Sequence, residues 1–188
     1  MERPLDGRRI AFLTANEGVE QIELTSPWKA VTDAGADAVH LAPERGEAQG
    51  FDHLDKADVF DATLAVKNAV AGDFDALVLP GGVANPDQLR TDPDALSFVR
   101  SLAEQGKPIA VICHGPWTLI DAGLVGGRTM TSWPSLRADI EHAGGTWVDQ
   151  QVVVSEDGPN TIVSSRKPDD LPAFERTLVD VFAKVRMS

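Results

Sequence analysis

Two kinds of hydrophobic pattern alternate along the chain. Short apolar runs without helical spacing predict buried strands, and segments with apolar residues every three or four positions predict helices. Predicted strands cover residues 9–15, 37–41, 74–79 and 108–112, and a hairpin is predicted to pair 151–155 with 161–165. Predicted helices cover residues 20–34, 93–105, 116–122, 135–143 and 168 to about 185.

The region from residue 43 to residue 60 carries a weaker pattern. Residues 43–50 are polar and contain glycine, which predicts a connection, whereas residues 51–60 are ambiguous and compatible with short edge strands.

The boundaries of two helices are clearer. Asp92 is predicted to cap the helix that starts at Pro93, and Gly35 is predicted to end the first helix.

Alternating strands and helices predict an α/β fold with right-handed crossovers and a mostly parallel sheet covered by helices on both faces. With 188 residues the chain is expected to form a single domain, in which residues 1–7 are a short N-terminal extension. Ligands of such folds bind beyond the carboxyl ends of the strands. Residues 16–23, 80–85 and 113–117 are therefore the places where a site is expected.

Composition narrows the classes of partner and site. Lys and Arg number 17 against 29 Asp and Glu, giving a net charge of −12, which argues against binding to nucleic acid or to an anionic membrane. A lone cysteine excludes an internal disulfide and a Cys-rich zinc site, and the histidines lack metal-ligand spacing, so neither metal nor cofactor is expected. Without an apolar leader or membrane-length run, a cytoplasmic protein is predicted.

The lone cysteine stands in the most informative segment. An apolar strand ends at Cys113, and His114, Gly115 and Pro116 lead directly into a helix. This order is typical of a nucleophile elbow, in which a strained turn exposes a nucleophile at the edge of the sheet. The helix N-terminus is expected to lower the pKa of the thiol. The alternative is that Cys113 is a small buried residue without chemistry.

Two neighbouring segments could complete such a site. Gly81 and Gly82 follow a buried strand, so their N–H groups could stabilise an oxyanion, although a tight turn is the simpler interpretation. Glu17, Glu20 and Glu23 follow the first strand. Most of these glutamates are expected on a solvated helix start, but one could reach over the sheet edge to the thiol and share a proton with it.

The chain resembles the ThiJ/PfpI family, and its intracellular protease I branch most closely. The resemblance runs from about Arg9 to about Phe182. The segments that carry it are Leu13-Thr14-Ala15-Asn16-Glu17, Glu20-Gln21-Ile22-Glu23-Leu24, Leu77-Val78-Leu79-Pro80-Gly81-Gly82, Ile112-Cys113-His114-Gly115-Pro116, Thr131-Ser132-Trp133-Pro134, Ser164-Ser165-Arg166 and Pro168-Asp169-Asp170-Leu171-Pro172-Ala173-Phe174.

The resemblance implies a flavodoxin-like three-layer sandwich that assembles into a homodimer or a larger homo-oligomer. It also implies that Cys113 is the nucleophile and that Glu23 is the carboxyl that hydrogen-bonds it. Glu20 matches a second glutamate of the family nearby, which leaves the choice of partner between Glu20 and Glu23 open. Trp133 stands where some relatives have tyrosine, in the wall of the pocket.

For protease-type members the resemblance implies a further arrangement. His114 would pair with Cys113 and would be oriented by an acid from the neighbouring subunit, which corresponds to Asp87. Gly81, Gly82 and the amide of His114 would form the oxyanion site.

Three functions are compatible with these residues. The first is a stress-protective, cysteine-dependent hydrolase that acts on small carbonyl adducts, as a deglycase or glyoxalase does. The second is an intracellular cysteine peptidase with Cys113, His114 and Asp87 across a subunit interface. The third is a non-enzymic redox sensor or chaperone that uses an oxidisable Cys113. Fold alone does not choose among them.

Overall fold

The computed structural model describes residues 3–185. Twelve strands lie in this part of the chain: β1 Arg9–Leu13, β2 Glu17–Glu20, β3 Asp37–Ala42, β4 Gly46–Asp52, β5 Asp55–Ala62, β6 Leu64–Ala65, β7 Ala76–Leu79, β8 Ile109–Ile112, β9 Thr129–Met130, β10 Thr146–Trp147, β11 Val152–Ser155 and β12 Ile162–Ser165. Six α-helices connect or flank them: α1 Gln21–Asp33, α2 Ala84–Leu89, α3 Pro93–Glu104, α4 Pro116–Asp121, α5 Arg137–His142 and α6 Leu171–Ala183.

A seven-stranded sheet in the order β11-β12-β8-β7-β1-β3-β6 forms the centre of the fold. Every neighbouring pair is parallel except the hairpin of β11 and β12. A smaller sheet of β2, β4 and β5 lies beside it, and β9 and β10 form a short parallel pair. This arrangement confirms the α/β, flavodoxin-like class with a mostly parallel sheet.

Both faces of the central sheet are buried because successive residues of each strand point to opposite faces. In β1, Ile10 and Phe12 pack with residues of α1 and α6, whereas Ala11 and Leu13 pack with residues of α3, α4 and α5. One hydrophobic cluster therefore lies on each face of the sheet, and the helices form the outer layers of a three-layer sandwich. The continuous apolar runs in the sequence reflect this double burial.

Most predicted elements are confirmed to within a few residues. Asp92 caps α3, its carboxylate accepting hydrogen bonds from the N–H groups of Asp94 and Ala95. The predicted final helix divides into a 3-10 turn at Pro168–Asp170 and α6. Of the N-terminal extension, residues 1 and 2 lie outside the described range, and Leu5 is buried and donates its N–H to the carbonyl of Ala34.

The prediction of a polar connection over residues 43–50 is wrong. The strand β4 begins at Gly46 and pairs with β5 in a long antiparallel hairpin. Its buried positions are the small residues Ala48 and Gly50, so no apolar run marks it in the sequence. Gly50 is required by packing, since a Cβ there would lie 2.8 Å from the ring of Phe60.

Two short elements beside the expected site are not predicted by the sequence. The strand β2 covers Glu17–Glu20, where the pattern indicates a loop leading into a helix, and α2 follows the Gly81-Gly82 turn. Four residues that begin and end with glutamate are too few to show a strand period, and α2 is only six residues long and contains Pro86.

A fully buried arginine stabilises the region opposite the site. Arg128 is 1% exposed, and its guanidinium donates to the side-chain and backbone oxygens of Asn160 at 2.8 and 2.9 Å. The carbonyl of Leu124 accepts a further hydrogen bond from Nε at 2.7 Å. Burial lowers the pKa of Arg128, while the charge of Asp157 opposes this shift. The cation is thus held by neutral oxygens rather than by a buried carboxylate.

Replacement of Asn160 tests how the arginine is held. Asn160→Ala removes one acceptor of the buried guanidinium and is expected to lower the free energy of unfolding by about 2 kcal/mol. Urea unfolding measures the change. Asn68→Ala, at an exposed asparagine, is the matched control and should change stability by less than about 0.5 kcal/mol. Equal effects of the two substitutions would contradict the role of Asn160.

Candidate active site

Cys113 lies on a left-handed backbone turn between β8 and α4. Its φ is 62°, and besides His53 it is the only non-glycine residue at positive φ in the described part of the chain. The turn is held from both sides: the N–H of Cys113 donates to Ser165 at 3.1 Å, and its carbonyl accepts from Trp133 at 2.9 Å. Strained backbone of this kind concentrates at functional sites. The geometry is that of an elbow, with a side chain 6% exposed.

The carboxyl group beside Cys113 belongs to Glu23, in the first turn of α1. Glu23 is 0% exposed, and neither of its oxygens makes a hydrogen bond of ordinary geometry with the described residues. Gly81 permits the approach, since a Cβ there would lie 2.5 Å from Oε1 of Glu23 and 2.6 Å from Cβ of Cys113. Glycine is therefore required between the carboxyl and the thiol.

The electrostatics of this pair follow from burial. Burial and the nearby charge of Glu20 raise the pKa of Glu23 to about 8, while the Cys113 thiol and the amides of Gly81 and Gly82 lower it by less. At neutral pH the carboxyl therefore holds a proton for most of the time. A buried carboxyl that titrates near neutrality can both donate and accept a proton during a reaction.

The expectation that the helix N-terminus lowers the pKa of Cys113 is wrong in direction. Burial raises the pKa of the thiol, and the negative charge of an ionised Glu23 raises it further. The amides of Gly82 and His114 lower it, in the sense that the sequence predicted, but they do not outweigh the loss of solvation. Deprotonation of the thiol consequently needs a neighbouring base.

His114 is such a neighbour. Its Nδ1 lies 3.1 Å from Sγ of Cys113, an approach between adjacent residues that the left-handed turn makes possible. Burial lowers the pKa of His114 to about 4, so the imidazole is neutral and has a free ring nitrogen that can accept a proton, but it is a weaker base than an ordinary histidine. Trp133 stacks on the ring at 5.6 Å between centroids, and Trp117 meets it edge-on at 5.3 Å.

The turn that faces the thiol is held by a buried asparagine. Asn85 is 0% exposed, accepts the N–H of Ala15 at 2.6 Å, and donates to the carbonyls of Pro80 and Gly81 at 3.0 and 2.9 Å. It thereby joins the end of β1 to the end of β7. The amide of Gly82 is directed at Cys113, while that of Gly81 faces only Glu23, so Gly82 and His114 are the better oxyanion donors.

A cavity of about 380 Å³ opens above Cys113. Glu23, His114, Gly82 and Trp133 surround the thiol, and Glu20 lies nearer the mouth of the cavity with the tip of the β4–β5 hairpin. Residues 3–185 contain no group of three or more His, Cys, Asp or Glu side chains arranged to hold a metal ion. Within the same range, no helix has the length and apolar character needed to cross a membrane.

Comparison with known proteins decides the family. The model of the DJ-1/PfpI family matches residues 8–181. The chain belongs to this family.

Similar proteins carry several functional names within the DJ-1/PfpI family. Deglycase PH1704 of Pyrococcus horikoshii is 42% identical over 91% of this chain and 97% of its own. General stress protein 18 of Bacillus subtilis is 39% identical over 95% of this chain and 99% of its own. A two-domain protein from Anabaena variabilis has DJ-1/ThiJ/PfpI-like and ferritin-like domains. Its structure superposes on 92% of this chain with a TM-score of 0.83 and 30% identity, and the match covers 49% of that protein. The names support hydrolase-like activity in general.

The structure brings together all but one of the site residues predicted from the sequence. Glu23, and not Glu20, lies beside Cys113, which answers a question that the resemblance left open. Asp87 does not join the site in this chain: it lies exposed on α2, and no carboxylate of the described residues contacts His114. A role for Asp87 therefore requires a second copy of the chain.

Two residues that contribute to the site are missed by sequence reasoning. The sequence places Asn85 in the expected site region of residues 80–85 but assigns it no role, although an amide that follows a Gly-Gly turn and precedes a proline is a signal for a turn-stabilising side chain. His53 lines the cavity from the β4–β5 hairpin, which the sequence does not resolve. Neither position has a local pattern that shows what it faces.

The pKa of Glu23 leads to a prediction for the reactivity of Cys113. Around pH 8 the wild-type carboxyl ionises and places a negative charge beside the thiol. Alkylation of Cys113 by iodoacetamide should therefore rise with pH less steeply above this midpoint than in Glu23→Gln, which keeps a neutral side chain of similar size. The two proteins should converge at lower pH, where Glu23 is protonated, and identical profiles at all pH values would contradict the coupling.

The pH dependence of the free energy of unfolding tests the titration of Glu23 in a second way. The pKa of Glu23 is higher in the folded than in the unfolded chain, so its stabilising contribution is present at acidic pH and is lost as the pH rises towards about 8. Glu23→Gln should accordingly gain stability relative to wild type between about pH 5 and about pH 9, measured by urea unfolding. A constant difference would show that the carboxyl does not titrate in this range.

Proposed function

We propose that this protein is a cysteine-dependent hydrolase of small carbonyl adducts, of the deglycase or glyoxalase type, with Cys113 as the nucleophile. The observation that carries the proposal is the buried pair of Cys113 and Glu23 at the base of a small cavity. The carboxyl of Glu23 faces the thiol and the amides of Gly81 and Gly82 without a charged partner, and its pKa lies near neutrality. Such a pair suits a reaction in which a thiol adds to a carbon and a proton then moves between adjacent carbons.

The first step on an amine-bound methylglyoxal adduct is a substitution at the aminocarbinol carbon. The thiol of Cys113 gives its proton to Nδ1 of His114, Sγ bonds to that carbon, and the C–N bond breaks. The amine leaves with the proton that His114 returns. The product is a hemithioacetal on Cys113 and a free amine, and no electrons are gained or lost.

The second step converts the hemithioacetal into a thioester. Glu23, in its ionised form, takes the proton from the carbinol carbon and returns a proton to the neighbouring carbon through an enediol. The amides of Gly82 and His114, which face the thiol of Cys113, would stabilise the oxygen that becomes negative. Water then hydrolyses the thioester and releases lactate and the thiol of Cys113.

Lactate release tests the proposal. With a preformed methylglyoxal adduct of N-acetyl-lysine amide, wild type should release one lactate for each amine set free. Cys113→Ser should lower the rate by at least ~1,000-fold, and Glu23→Gln by about 100-fold. Glu17→Gln, at an exposed glutamate of β2, is the matched control and should retain activity. Absence of lactate at high enzyme concentration would contradict the proposal.

A cysteine peptidase is the second candidate, favoured by the 3.1 Å contact between Cys113 and His114. Asp87 of a second copy of the chain would then orient the imidazole, so that only a homo-oligomer would be active. Peptide cleavage per subunit should fall steeply when dilution separates the copies, whereas lactate release should not. Cleavage that persists unchanged in the monomer would contradict the shared site.

A further inference from the structure

We propose that the mouth of the Cys113 cavity is a charge-selective subsite, in which the carboxylate of Glu20 binds a cationic group of the substrate and repels carboxylates and phosphates. The substrate class is thereby narrowed to adducts that carry an amine or guanidinium. This inference deepens the hydrolase proposal and rests on it for the chemistry alone, because the charge selectivity of the cavity can be measured without turnover.

The composition of the cavity wall is the first observation. Among the described residues, the wall contains two carboxyl groups, those of Glu20 and Glu23, and no lysine or arginine. The rest of the wall is largely apolar, with Phe51, Leu54 and Val83 towards the open side. An anionic substrate would find no cation here, and at neutral pH it would face the charged carboxylate of Glu20 in surroundings that screen charge less than water does.

Unused hydrogen-bonding capacity is the second observation. The carboxylate of Glu20 accepts only the backbone N–H of His53, at 3.2 and 3.5 Å to its two oxygens, and no lysine or arginine of residues 3–185 forms an ion pair with it. Deeper in the same cavity, neither oxygen of the fully buried Glu23 makes a hydrogen bond of ordinary geometry with the described residues, although the Cys113 thiol and the amides of Gly81 and Gly82 face it. A buried polar group without a partner points to a ligand that completes it.

The hairpin tip positions Glu20. His53 is the first of the two residues that link β4 to β5, and its φ is 57°. Leu54 does not share this conformation, and in two-residue hairpins in which only the first residue has positive φ that residue is usually glycine. The two non-glycine residues at positive φ in the described chain, His53 and Cys113, line this one cavity. The strained tip brings the N–H of His53 to Glu20, and the N–H of Glu20 in turn donates to Gly81 at 3.3 Å.

This chain of contacts connects the mouth to the nucleophile. Glu20 is held between the hairpin tip and the Gly81-Gly82 turn, so a cation bound at its carboxylate lies along the path into the cavity. The charge of Glu20 also raises the pKa of Glu23, and a bound cation would offset that effect. Recognition of the cation and tuning of the catalytic carboxyl are therefore combined in one residue.

Charged thiol reagents test the selectivity directly, since Cys113 is the only cysteine. The probes are 2-aminoethyl methanethiosulfonate, a cation, and 2-sulfonatoethyl methanethiosulfonate, an anion. The ratio of their rate constants on Cys113 is divided by the same ratio on N-acetylcysteine amide, which removes the intrinsic difference between the reagents. Wild type should favour the cation by about tenfold on this scale. Glu20→Gln should reduce the preference by about fivefold.

The controls separate the possible failures. Glu17→Gln removes an equal charge from the same segment outside the cavity and should leave the ratio unchanged. A normalised ratio at or below one, or equal effects of Glu17→Gln and Glu20→Gln, would overturn the subsite. A high, Glu20-dependent ratio without any lactate release would uphold the subsite and remove the hydrolase proposal instead.

Discussion

The site depends on one constraint: a fully buried carboxyl must share its surroundings with a buried thiol. Two negative charges cannot be stable there together, because neither group is solvated and no cation among the described residues is close. Glu23 therefore retains a proton at neutral pH, and Cys113 loses its own only when a base or a substrate compensates. The chemistry of the protein follows from this competition for protons more than from the thiol alone.

The fold supplies the geometry that makes the competition possible. Parallel strands bring the ends of β1, β7 and β8 to one edge of the sheet, and the left-handed turn at Cys113 directs the thiol into the cavity. Gly81 lets the carboxyl of Glu23 approach the thiol, and Asn85 holds the turn that contains Gly81. Gly81 and Asn85 are both neutral, so they hold the site together without adding a cation that would stabilise both negative charges at once.

The sequence predicts the buried elements well because double burial leaves continuous apolar runs, as in β1, β7 and β8. It also predicts the elbow, since a cysteine at the end of a buried strand, followed closely by the proline that starts a helix, is typical of that turn. The β4 strand is missed because its inward positions are Ala48 and Gly50. Burial is therefore visible in the sequence where the buried positions form an apolar run, as in β1, β7 and β8, and is hidden where they are small residues, as in β4.

Tertiary surroundings account for the rest of what the sequence does not predict. The pKa of Cys113 shifts in the direction opposite to the prediction because a helix N-terminus is visible in the sequence, whereas the depth of burial is not. Asn85 and His53 act through contacts with segments distant in the chain, which no local pattern shows.

The protonation state of Glu23 is the central claim, and difference infrared spectroscopy measures it directly. Subtracting the spectrum of Glu23→Gln from that of wild type isolates the carbonyl stretch of this one group. We expect a protonated carboxylic acid band at neutral pH that converts into carboxylate bands with a midpoint at about pH 8. A carboxylate already present at about pH 6, well above the ordinary glutamate pKa, would contradict the claim.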